Sequence, residues 1–271
     1  MPKTVASYEN NPLFIATKGL QLLFGQAISV AILFLILMAA GFTSNIPSAL
    51  VQSSQPASSN QTNADTLTQD LQSVPTAAWA ILAVIVLLIV LLAVFVKILL
   101  SGIADYTAAK LAKGEHVTLG EALGGVFSHF WGYAWVAILV AIKTFLWSLL
   151  LIVPGIVKSV QYSLAGVSYF DKKLSGNAAI KHSMSLTKGA WITTFAARVL
   201  LPILTFGALQ YLTISGTSAV LYRQFSSAGE TKPKAHIVSW LTLIIPFVLL
   251  AIFILLALAV LVLLSSSDIQ F

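Results

Sequence analysis

AAWAILAVIVLLIVLLAVFVKILL, residues 77–100, contains a single charge, Lys97, in 24 positions. A helix needs about 20 apolar residues to cross a hydrocarbon core of about 30 Å, and in that core every backbone N–H and C=O must be satisfied within the segment or in a closed barrel. The run is continuous and does not alternate, so it predicts a transmembrane α-helix and not a barrel strand. Comparable apolar blocks lie on both sides: Leu20 to Phe42, Phe130 to Val153, Gly155 to Phe170, Ala190 to Arg223 and Val238 to Leu264.

The composition points the same way. The 271 residues are 58% hydrophobic and 9% charged, with a mean hydropathy of +0.92, whereas soluble domains are roughly 45–50% apolar and about 25% charged. The expected fold is therefore all-α: one integral membrane domain over residues 1–271, a polytopic bundle of six to seven spans with short cytoplasmic interfacial helices. The first apolar run exceeds the 7–15 residues of a signal-peptide core and is expected to be a retained helix. With no cysteine, disulfides, thiolate metal ligands and thiol nucleophiles are excluded.

Residues 43–75 form a Ser/Thr/Asn/Gln-rich stretch with two acids, Asp65 and Asp70, and no Lys or Arg. Such a stretch reads as a solvated connection, and its lack of cations places it outside, because cytoplasmic loops are enriched in Lys and Arg. The amino terminus with Lys3 and Lys18 is then cytoplasmic, as are the connections carrying Lys97, Lys110, Lys113 and Lys172, Lys173, Lys181, Lys188. Pro154-Gly155 breaks two apolar runs and is expected to turn the chain at the outer face.

Ala190 to Arg223 would be about 51 Å long as one helix, too long for a bilayer. Two readings stand: one tilted helix with a polar extension, or a hairpin turning near Thr205-Phe206-Gly207. The hairpin keeps Arg223, Lys232 and Lys234 inside and is favoured on that ground. Seven spans follow: 20–42, 77–100, 130–153, 155–170, 190–205, 207–223 and 238–264. The single-helix reading gives six.

Thr118-Leu-Gly-Glu121 has the form of a capping box, and Leu119, Ala122, Leu123, Val126 and Phe127 follow at helical spacing. A similar segment begins at Ser175, about 57 residues on, and both lead to a Gly and a Trp, in Gly132-Tyr-Ala-Trp135 and Gly189-Ala-Trp191. Each reads as an interfacial helix, a Trp at headgroup level and a span, hence a parallel internal repeat.

KLAKGEHVTLGEALGG, FLWSLLLIVPGIVKSVQYSLAGVSYF and LSGNAAIKHSMSLTKGAW, within about Lys110 to Arg223, together resemble the uncharacterised YciC-like bacterial membrane proteins and the related membrane domain attached to some glycerophosphodiester phosphodiesterases. The matching positions are Gly114 to Leu123, Leu146 to Ser163 and Ala179 to Gly189. The resemblance implies a multi-pass protein of the bacterial cytoplasmic membrane with about six spans. It assigns no chemistry and no functional residues. No phosphodiesterase domain accompanies the match, so that activity does not carry over.

All nine acids lie outside the apolar blocks, which argues against a relay of intramembrane carboxylates. Lys143, Lys158 and Arg198 lie inside them. A cation near a helix centre costs about 2.5–3.5 kcal/mol, so Lys143 and Arg198 need an account. They are either tolerated among aliphatic neighbours by snorkelling, or they form a midplane site for an anionic lipid or solute with Gln161, Tyr162 and Gln210 beside it. The sequence contains no phosphate-binding glycine loop and no nucleophile elbow, and its four histidines, His116, His129, His182 and His236, are scattered. No cofactor and no nucleic-acid partner is expected. The net charge of +6 suits anionic headgroups on the inner face. The expected function is that of a non-enzymatic envelope or lipid-associated accessory protein with membrane partners. The alternative is a small transporter or lipid-handling protein using the Lys143 and Arg198 region.

Overall fold

The computed structural model describes residues 9–44, 76–205, 210–227 and 234–267, and every element among them is an α-helix. In chain order these are α1 (Pro12–Gln26), α2 (Ile28–Ser44), α3 (Thr76–Ala112), α4 (Leu119–Ser128), α5 (Phe130–Leu150), α6 (Ile152–Tyr162), α7 (Ala165–Lys172), α8 (Gly176–Thr187), α9 (Trp191–Leu204), α10 (Gln210–Ser227) and α11 (Ile237–Ser267). By length and composition three are apolar enough to cross a membrane: Ala78–Ala112, Phe130–Leu150 and Ile237–Val260. A fourth candidate is the pair Pro12–Gln26 and Ile28–Leu37, bent by 111°. The external connection expected at 43–75 falls almost wholly outside the described residues.

Several expected spans are subdivided. Residues 20–42 cover the end of α1, a break at Ala27 and most of α2. Residues 155–170 are cut at Ser163-Leu164 into α6 and α7. The break expected at Pro154-Gly155 falls instead at Leu151, which is extended at φ −159° and ψ 141°. Pro154 then sits in the first turn of α6, where its missing N–H has no intrahelical acceptor to lose. Gly155 lets α6 return close along α5, since a Cβ there would lie 2.7 Å from Ser148 Cα. Within 190–223 the helix stops at Leu204 and restarts at Gln210, and α9 packs against α10; Phe206 and Gly207, where the turn was expected, lie outside the described residues.

The two segments read as a repeat have related junctions. Thr118 Oγ1 accepts from the Glu121 N–H at 3.2 Å, but the Glu121 carboxylate turns to Lys110 Nζ at 3.3 Å, so the box is half made. α4 ends at His129 (φ −121°, ψ 16°) before α5, and α8 is separated by Lys188 and Gly189 from Ala190 (φ −128°, ψ 19°), which opens α9. Ala27 joins α1 to α2 in a related conformation (φ −143°, ψ 45°). At each of these three junctions a helix is followed, after one residue at Ala27 and His129 and after three at Lys188–Ala190, by a more apolar helix.

Packing is densest around α10, which touches α1, α3 and α9. Gly19 of α1 and Gly216 of α10 meet backbone to backbone, and a Cβ on either would strike the other's main chain. Small residues permit this close approach. Around this centre the outer part of α3, residues 78–97, is exposed at every position. So is most of α11.

A polar layer joins the helix ends near the Lys-rich loops. Lys113 Nζ pairs with Asp171 Oδ1 at 2.8 Å, and Tyr222 donates to Asp171 Oδ2 at 2.6 Å. Burial alone would raise the Asp171 carboxyl, yet these two partners hold it below its ordinary value. His182 Nδ1 lies 3.0 Å from Ser168 Oγ; burial first, then the nearby Lys172, lowers its pKa.

Candidate functional site

Ser101 and Asp105 lie four residues apart on α3 and therefore on one face. Asp105 is only 9% exposed. Tyr133, in the first turn of α5 and itself buried, donates to Asp105 Oδ2 at 2.8 Å and stands 3.0 Å from Ser101 Oγ. Gly166 of α7 faces the carboxylate so closely that a Cβ there would collide with Asp105 Oδ2. The absence of a side chain at position 166 makes the room that Asp105 occupies.

Arg198 enters from α9. Its Nη1 donates to the Ser163 carbonyl at 3.4 Å and to Ser218 Oγ of α10, while the buried Ser163 Oγ has no hydrogen-bond partner. Arg198 and Asp105 make no ion pair within 4.0 Å; they line a common cavity of about 250 Å³ together with Ser101, Tyr133, Tyr162 and Ser163. A cation and an anion thus face one interior space without neutralising each other by contact. Opposite charges in surroundings of reduced dielectric still attract, and removal of either one strands the other.

The residues expected to form a site are only partly brought together. Arg198 and Tyr162 line the cavity. Lys143 does not: its Nζ donates to Asn177 Oδ1 at 2.6 Å in an exposed contact between α5 and α8. The Gln161 side chain accepts from Lys158 Nζ at 3.0 Å, and its carbonyl accepts from Ser183 Oγ at 2.7 Å. Gln210 opens α10 and is exposed. Lys158 also lies 5.3 Å from the centroid of the Trp147 ring, an arrangement that eases a cation on an apolar helix.

Asp105 is the residue the sequence reading missed. The apolar block ends at Leu100, which puts Asp105 in a loop, but α3 runs twelve residues further, to Ala112. The signal was present in SGIADYTAAKLA, residues 101–112, where Gly and Ala surround the acid at helical spacing and leave room for close neighbours. Among the described residues no group of three His, Asp or Glu side chains is placed to hold a metal ion. No protein-family model, no curated protein and no solved structure matches this chain.

Proposed function

We propose that this chain is a multi-pass protein of the cell membrane, with a cytoplasmic amino terminus, that binds the charged headgroup of a membrane lipid in the cavity shared by Arg198 and Asp105. The observation that carries this reading is the pair of opposite charges lining one interior space without direct contact. Structural ion pairs normally close on each other, since the desolvation cost is recovered only at short range. A cavity kept between them suits an occupant.

The position of the cavity supports a headgroup over a midplane ion. The fully exposed stretch 78–97 of α3 spans about 30 Å at 1.5 Å per residue, the thickness of the hydrocarbon layer. Asp105 lies about 12 Å beyond Lys97 along the same helix, and Tyr133 is in the first turn of α5. Trp131 in that turn and Trp135 in the next, both exposed, are residues favoured at the lipid–water boundary. In this frame α4 and α8 lie along the inner face, and α9 and α10 form a hairpin that brings the count of crossings to six or seven. The role is binding, in keeping with an accessory protein of the envelope, with anionic headgroups attracted to the same inner surface.

Native mass spectrometry of protein extracted from membranes tests the reading. Arg198→Leu should lose the lipid that accompanies the wild type, whereas Lys143→Leu, at a surface position outside the cavity, should retain it. Equal bound lipid in the wild type and Arg198→Leu would refute the site.

A further inference from the structure

We infer that the cavity selects a zwitterionic headgroup, an ammonium joined to a phosphate, over a headgroup that is only anionic. This rests on the reading that the cavity holds a headgroup and adds the chemical class. Arg198 commits Nη1 to Ser163 and Ser218 and brings further N–H groups on the same planar fork, which suit a phosphate. Asp105 has one oxygen engaged by Tyr133; among the described residues its other oxygen has no partner, and it suits an ammonium. The Tyr133 hydroxyl and the room left by Gly166 hold the carboxylate in place.

Charge arithmetic discriminates between ligands. A purely anionic headgroup gains from Arg198 but meets Asp105, and like charge in a buried site is costly. An ammonium alone gains from Asp105 and meets Arg198. An occupant carrying both signs satisfies both walls and leaves the site neutral.

Binding of short-chain phosphatidylethanolamine and phosphatidylglycerol to the full-length protein in detergent, by native mass spectrometry or calorimetry, tests the inference. The wild type should bind phosphatidylethanolamine at least tenfold more tightly. Asp105→Asn should bring the two affinities within about twofold by losing the ethanolamine preference, and Tyr133→Phe should narrow the gap without abolishing binding. Arg198→Gln should weaken both lipids. A wild type that prefers phosphatidylglycerol, or binds the two equally, would overturn zwitterion selection while leaving a headgroup site. Failure to bind either lipid would overturn the site itself. Free phosphoethanolamine, used as a third ligand, separates the sources: an affinity matching that of the lipid supports the same recognition acting on a soluble solute. Should Asp105→Asn fail to fold, an unchanged lipid ratio in Tyr133→Phe would count against the inference.

Discussion

In α10 twelve side chains between Leu212 and Phe225 are buried, among them Thr213, Ser215, Gly216, Thr217 and Ser218. In the most apolar windows of α3 and α11 none is buried. The more hydrophobic helices are thus on the outside and the more polar one is at the centre, the reverse of a soluble core. Lipid tails solvate leucine as well as another leucine does, so apolar area gives helices no reason to associate. Close backbone contact and hydrogen bonds between helices do. What α10 contributes is smallness.

The contrast can be broken at its tightest point. Gly216→Leu would force apart α1 and α10, whose backbones touch there, and should cost about 3 kcal/mol or more, or prevent folding altogether. Thermal unfolding in detergent measures this. A melting temperature within a degree of wild type would show that the Gly19–Gly216 crossing does not hold the centre together.

A smaller effect should appear at the polar layer. His182 is held neutral by burial and by Lys172, with Asp171 opposing and the Tyr222 ring 6.2 Å away. A histidine whose folded pKa lies below its ordinary 6.5 contributes stability that is present above that value and lost as the pH falls toward the folded pKa. Unfolding temperature should therefore drop between pH 7.5 and 5.5, and His182→Gln should flatten that part of the profile. Asp171, with a lowered pKa, keeps its contribution throughout this window and loses it only below about pH 4. An identical slope in the variant would remove His182 as the cause.

The smallest effect belongs to the bare helices. Leu88→Ala and Leu256→Ala alter side chains that are 60% and 61% exposed. Each should change stability by no more than about 0.5 kcal/mol. A loss of about 2 kcal/mol at either would reveal a buried partner surface.

The helical class was legible because apolar runs of bilayer length have few other uses. Two of the three junctions were legible, since spans were read as opening at Phe130 and Ala190, the latter after Gly189, which adopts φ 79°. The bend at Ala27 was not: it is an ordinary residue inside an apolar run read as one span, 20–42. Arg198 was found through its cost in an apolar run. Asp105, which lines the same cavity, was missed because the run was ended where hydropathy fell instead of where the helix stopped. Lys143 carried the same sequence signal as Arg198, yet it reaches Asn177 at the surface: hydropathy gives position along a helix but not the direction a side chain faces.

The contact between Gly19 and Gly216 also orders events in time. The partner of α1 emerges roughly two hundred residues after it, which at about 5–20 residues per second is some 10–40 s of synthesis. For that interval α1 has no α10 to lie against, and its Ile15, Ala16 and Leu23, buried in the finished fold, need other cover. α1 therefore waits for its main packing partner and is locked only late in assembly.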